Sequence, residues 1–239
     1  MQLDYSIVLS YIPALAQATL MTILIAVLSQ AIGTVFGFLL ALARMSKYVW
    51  LQRAVIAYVW IFRGTPVLLH LFFIYYAAPT FGITLEAFPA AIIAFSVSSA
   101  AYNSEIIRAG LQAVHPGQVE AAQAVGMHYP TMVLKIVLPQ AVRVILPVYM
   151  SNFITHTKNS SLASVITVQE LMLTSQMIYS STYHAIEILS VAGVIYLTLT
   201  SGLTGLQLWL ERVLQVEKRP MSARKRARLG ITTPEAPRA

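Results

Sequence analysis

The sequence of 239 residues contains no cysteine. Disulfides, thiolate metal sites and a cysteine nucleophile are therefore excluded. Charge is also scarce. Asp, Glu, Lys and Arg make up 10% of the chain, against about 25% in soluble domains. Nucleotide and metal signatures are missing too. There is no GxxxxGK[ST], GxGxxG or HExxH, and no serine in a GxSxG elbow. His70, His115, His128, His156 and His184 are scattered without metal-ligand spacing. Any energy-requiring work must draw its fuel from another subunit or an ion gradient.

What is present is apolar. Hydrophobic residues account for 57% of the chain and the mean hydropathy is +0.69. That balance describes an all-α integral membrane protein. The net charge of +7 does not indicate nucleic-acid binding, because eight of the 16 Lys and Arg residues follow residue 210. The N-terminal MQLDYSIVLSYIP lacks a basic start, and the apolar segment after it is too long for a signal h-region.

Five spans are expected. The first covers about 13–43, with Gly33 and Gly37 four apart, a spacing that lets helices approach closely, either within the chain or at a dimer contact. Arg44, Lys47 and Arg53 follow, and such a cluster marks the cytoplasmic side. The N-terminal segment 1–12 is then extracytoplasmic. The second region, 51–78, is interrupted by FRGTP at Phe62–Pro66, where Thr65 can cap and Pro66 can open a helix. Arg63 there is either an interface anchor or the partner of an internal group. The loop 78–89 carries no Lys or Arg and fits the outer side. The third span, 87–107, ends in AYNSEIIRAG, where Glu105 can pair with Arg108 at i,i+3 or face substrate.

Between the third and fourth spans lies HPGQVEAAQAVGMHYPTMVLKIVLP, residues 115–139. Pro116 is placed to begin a short helix and Gly126 to end it. About ten residues give about 15 Å, too short to cross a bilayer. The fourth span, 131–157, contains Pro139 and Pro147, which should kink it. Residues 156–181 turn polar and are read as a loop with short helical pieces, partly tucked into the bundle. Irregular backbone at membrane depth must be buried in protein or line a cavity, so 155–164 is either a substrate-facing wall or a solvated loop. The fifth span, 185–210, precedes a basic cytoplasmic tail, 216–239, expected to be disordered towards its end.

The stretch Glu120-Ala121-Ala122, three residues, Gly126, nine residues, Ile136, one residue, Leu138-Pro139 resembles the EAA loop of bacterial ABC importer permeases. FRGTPVLLHLFFIYY, AYNSEIIRAG and KNSSLASVITVQEL are similar to segments of the polar amino-acid (His/Glu/Gln/Arg/opine) permease group. The resemblance covers about 13–215, the permease domain, and implies the type I ABC importer permease fold. It implies that the short helix is a cytoplasmic coupling helix, with Glu120, Ala121, Ala122 and Gly126 as ATPase-coupling residues. It implies a second permease chain, identical or homologous, a dimer of ATP-binding cassette ATPases carrying ATP and Mg, and a periplasmic substrate-binding protein. This chain would bind no cofactor and catalyse no reaction itself, in a bacterial inner membrane. Asn159 stands where many members carry Asp, which favours neutral or acidic amino acids over cationic ones.

Asn103, Thr155, Asn159, Ser160 and Ser161 are the expected substrate contacts, with Arg108 and Glu170 behind them. They are polar elements in an apolar bundle and can hydrogen-bond an amino acid. An Ala122→Asp change is expected to abolish ATP-driven uptake. Two other functions compete. A stand-alone secondary amino-acid transporter or channel would need inverted repeats, which five spans do not show. A membrane-embedded enzyme would need a nucleophile, metal or acid–base set, and the sequence offers none.

Overall fold

The computed structural model describes residues 4–214, and the basic tail over 216–239 lies outside the described residues. Every regular element among them is helical. Helix α1 (Ser6–Arg44) is followed by α2 (Val49–Gly64) and α3 (Val67–Phe72), which continues through a π-helical turn, Phe73–Ala77, and a 3-10 turn, Ala78–Phe81. Next come α4 (Ala87–Gln112), the short α5 (Pro116–Ala124) and α6 (Tyr129–Met132). A second π-helical turn, Val133–Val137, joins α6 to α7 (Leu138–Asn159), and a 3-10 segment, Ser160–Ile166, follows. Helices α8 (Leu171–Thr182) and α9 (Ala185–Leu214) complete the described chain.

Four helical stretches are long and apolar enough to cross a membrane, and a fifth span results if the bent pair α2–α3 counts as one. The bend between Val49–Gly64 and Val67–Phe81 is 103°, and Thr65 and Pro66 occupy it, as FRGTP anticipates. Proline disfavours helical backbone at the residue before it, so Thr65 is extended (φ −117°, ψ 147°). Helix boundaries run wider than the apolar windows. Helix α1 starts at Ser6, so residues assigned to an external segment, 1–12, enter the helix. Helix α4 continues beyond residue 107 to Gln112, and α9 to Leu214. The polar 156–181 stretch is more regular than a loop with short helical pieces, since it forms the end of α7, the 3-10 segment and α8.

Helix α4 is the centre of the bundle. In its most apolar stretch 72% of residues are buried, against 33% for α1 and 17% for α9. Small side chains make this possible: Ala90, Ala91, Ala94, Ser98, Ser99, Ala100 and Ala101 are all buried. Gly33 and Gly37 of α1 lie against it. A Cβ at Gly33 would meet Ser99 Cβ at 2.6 Å, and one at Gly37 would meet Asn103 Cβ at 2.8 Å. The glycine pair thus serves packing within the chain. The outer faces of α1 and α9 present Leu20, Leu24, Phe36, Leu39, Val194 and Leu197 outwards, as helices facing lipid do.

The contacts also give the helix directions. Residues 33 and 37 of α1 meet 99 and 103 of α4 in the same order, so these helices run parallel. Tyr149 and His156 of α7 meet Thr34 and Ser29 of α1 in reverse order, so α7 runs antiparallel. Glu187, early in α9, receives the Asp4 N–H, while Gln207, late in α9, reaches the Pro147 carbonyl. Helix α9 is therefore parallel to α1, and the two ends of the described chain lie at opposite ends of the bundle. At the first end the Ser6 hydroxyl and N–H bond the Asp4 carboxylate, at 2.6 and 2.9 Å, and hold its pKa below the ordinary value.

Candidate functional site

Two places in the fold carry polar groups that packing alone does not require. One is the short helix α5; the other is a cavity at the bend between α2 and α3.

Helix α5 begins and ends where its sequence dictates. His115 Nδ1 accepts the Gly117 N–H at 3.1 Å, supplying a cap for an unpaired donor of the first turn. Pro116 sits at the first helical position. At the far end Gly126 is left-handed, with φ +72°. Its N–H bonds Gln123 O at 2.9 Å, and the Met127 N–H bonds Ala122 O at 3.0 Å. This 6→1 and 5→2 pair is the Schellman closure that glycine permits. Glu120 and Ala121 are exposed, while Ala122 is only 3% exposed and is packed inside the chain. Adjacent positions on an α-helix point about 100° apart, so the two alanines do not share one outward face. The outward surface instead includes Val125, 77% exposed, and Tyr129, 72% exposed.

The cavity has a volume of about 220 Å³. Thr65, Pro66 and Val67 line it from the bend, Ser98, Ser99 and Tyr102 from α4, and Asn152, Thr155, His156 and Asn159 from α7. The Thr65 hydroxyl donates to Ile61 O at 2.7 Å and lies 2.7 Å from His70 Nε2. With its own proton committed, Thr65 Oγ1 accepts from the imidazole. His156 is held in the same way. Ser29 Oγ donates to Ile25 O at 2.6 Å and lies 2.7 Å from His156 Nε2. The imidazole proton therefore sits on Nε2, and Nδ1 is left as an acceptor.

Behind the cavity a polar ladder joins α1, α4 and α7. Ser99 Oγ donates to Gln30 Oε1 at 2.6 Å. Asn103 Nδ2 donates to Ser99 Oγ and to Thr34 Oγ1, at 3.1 and 3.3 Å. Asn152 Nδ2 donates to Asn103 Oδ1 at 3.2 Å. Tyr149 OH lies 2.8 Å from Thr34 Oγ1, whose own proton goes to Gln30 O. Hydrogen bonds between helices are a principal means of association where lipid removes the hydrophobic drive.

Of the expected substrate contacts, Thr155 and Asn159 line this cavity. Asn103 is fully buried in the ladder one layer behind. Ser160 donates to Thr157 O and Ser161 to Lys158 O, so both spend their hydroxyl protons on the turn that leaves α7. Arg108 pairs with Glu105, Nη2–Oε2 at 2.7 Å, as the i,i+3 spacing allows, and Arg44 joins them through Glu105 Oε1 at 3.2 Å. Arg63 places its guanidinium 5.1 Å from the centre of the Tyr102 ring. Glu170 is fully buried and occupied by Leu173 N–H, the Tyr196 hydroxyl and the Thr22 hydroxyl. Sequence reasoning does not single out Ser98, Ser99, Tyr102, Asn152 or His156. The signal available was the FRGTP break, since a bend inside an apolar bundle leaves space beside it.

The chain is similar over residues 33–216 to a family described as binding-protein-dependent transport system inner membrane component. It is 37% identical to the arginine transport system permease protein ArtQ of Bacillus subtilis (strain 168), covering 90% of this chain and 99% of that one. It is 36% identical to the nopaline transport system permease protein NocM of Agrobacterium fabrum (strain C58 / ATCC 33970), covering 98% of each. Among solved structures, a chain from the crystal structure of an amino acid ABC transporter with histidines superposes with a TM-score of 0.83 at 35% identity. That match covers 89% of this chain and 99% of that chain.

Proposed function

The chain belongs to the family of binding-protein-dependent transport system inner membrane components, and on that premise we propose that it passes a polar amino acid or related compound through the cavity at the α2–α3 bend. It is a multi-pass inner-membrane permease subunit of an amino-acid ABC importer, not an enzyme. Its partners include an ATPase and a substrate-binding protein. ATP and Mg belong to that ATPase. In our reading two permease chains, identical or homologous, form the pore, with the N-terminus outside and the C-terminus cytoplasmic. The permease domain is 13–215.

The observation that carries the reading is the separation of the two polar features. Helix α5 stands at the end of the bundle where Arg44, Glu105 and Arg108 meet, and the cavity lies in the middle of α4. The first suits docking to an ATPase, through Glu120, Ala121, Val125 and Tyr129, with Ala122 and Gly126 holding the helix in place. The second suits a small ligand with several hydrogen-bonding groups. Asn159 and Thr155 touch it, Asn103 positions Asn152, and Ser160 and Ser161 fix the end of α7.

The burial of Ala122 moves the test of coupling to its neighbour. An Ala122→Asp change would disturb the chain's own packing as well as any docking. Ala121→Asp is expected to abolish ATP-driven uptake while the chain still reaches the membrane with its ATPase genes intact. Normal uptake in that variant would remove the docking role of α5. Uptake driven by an ion gradient in vesicles without any ATPase would favour the stand-alone carrier.

A further inference from the structure

We propose that the cavity selects amino acids whose side chain is uncharged or anionic and turns away those with a cationic side chain. This rests on the reading of the cavity as the transport site and adds the charge of its occupant.

The first observation is the lining. Its polar members are hydroxyls, two carboxamides and one imidazole, and no carboxylate is among them. The acids of the described chain are all placed elsewhere. Asp4 and Glu187 meet at one end of the bundle, and Glu86 precedes the first turn of α4. Glu120 is exposed on α5. Gln207 bonds Glu211. Glu170 is buried beneath α8 with Leu173, Tyr196 and Thr22. Glu105 already holds two guanidiniums.

The second observation is the surrounding field. Beside the cavity, Arg63 places its guanidinium 5.1 Å from the centre of the Tyr102 ring. Arg44 and Arg108 share the one carboxylate of Glu105, so this group is net positive even before Arg63 is added. Lys158, exposed and outside the lining, precedes Asn159 in α7. A guanidinium or ammonium entering this site would leave water without a counter-charge and would meet like charges nearby, both unfavourable. A carboxylate would find the opposite.

The third observation is which atoms remain free to bond. Thr65 and Thr155 commit their protons to Ile61 O and Ser151 O, so their oxygens serve as acceptors. With His156 Nδ1 they suit the α-ammonium group common to all amino acids. Asn159 carries an amide with no hydrogen bond in the described structure, and Asn152 retains one N–H beyond that given to Asn103. These donors and the Arg63 side suit the α-carboxylate and a side-chain amide, hydroxyl or carboxylate.

The test uses the complete permease–ATPase complex in nanodiscs, without the binding protein, so that its selectivity does not enter. The twenty amino acids are supplied together in equilibrium dialysis, and those retained are identified by mass spectrometry. The expected result is retention of neutral or acidic amino acids, with arginine and lysine at background. Retention should fall at least tenfold in Asn159→Ala. In the near-isosteric Asn159→Asp variant, arginine and lysine retention should rise at least tenfold. Preferential retention of arginine or lysine by the unaltered chain, lost in Asn159→Ala, would overturn the charge selectivity and keep the site. No retention, or retention that Asn152→Ala and Asn159→Ala leave within twofold, would overturn the site itself.

Discussion

Glu170 and Gly33 illustrate two kinds of single-residue constraint in this bundle. Glu170 receives the Leu173 N–H at 2.9 Å and the Tyr196 hydroxyl at 2.9 Å, with the Thr22 hydroxyl at 3.4 Å. It links α1, α8 and α9 by capping α8. Glu170→Ala strands the Leu173 N–H and the Tyr196 hydroxyl, while Thr22 keeps its bond to Ala18 O, at about 1–3 kcal/mol for each buried group left unpaired. A lower melting temperature in detergent, partly restored by Glu170→Gln, is the expected outcome, and an unchanged one would remove the capping role. Gly33 marks a close approach of α1 to α4. Gly33→Val drives methyl groups into Ser99, and overpacking of this kind costs about 1–3 kcal/mol. Thermal unfolding of the purified chain measures it, and Gly193→Val, where a Cβ meets nothing, is the control that should stay near the parent.

The bend between α2 and α3 is an element held by side chains as well as by proline. Thr65 bonds Ile61 O and receives His70, so Thr65→Val removes two hydrogen bonds, each worth about 0.5–1.5 kcal/mol. The expected result is a fall in uptake together with a modest fall in stability, because the bend forms one wall of the cavity. Uptake that persists at the parental rate would separate the bend from transport. This element was legible in advance: a Thr-Pro pair inside an apolar run has few other conformations. Helix α5 was legible for the same reason, since Pro116 and Gly126 act locally. The inward turn of Ala122 was not, because the outward face of a short helix is set by what its far neighbours pack against. Nor was the cavity, which needs Ser98, Asn152 and Thr65 to be brought together from three helices. Of the residues expected from the sequence to contact substrate, Thr155 and Asn159 line the cavity, whereas the 3-10 segment turns the Ser160 and Ser161 hydroxyls back onto α7.

Over the described residues, Asp4 and Leu214 lie at opposite ends of the bundle, as an odd number of crossings would place them. The absence of cysteine makes this simple to check. Single cysteines at Ser6 and Gln118 should react with a membrane-impermeant maleimide from opposite sides, Ser6→Cys from outside in intact cells and Gln118→Cys only after permeabilisation. Labelling of both from one side would remove a span between them, and the reverse pattern would invert the proposed orientation. The long apolar runs made the spans readable, whereas their partners depended on small residues too common to be diagnostic. The two π-helical turns have a further consequence. Phe73–Ala77 and Val133–Val137 each end two residues before a proline, Pro79 and Pro139. A π turn holds one residue more than an α turn, and one residue is about 100° of rotation. The compass bearing of Tyr129–Met132, and of the helix attached to it, is therefore set by a single surplus residue. A chain one residue shorter or longer there would turn α5 and α6 by about a quarter of a circle relative to α7, so the length of this stretch sets the direction in which α5 points.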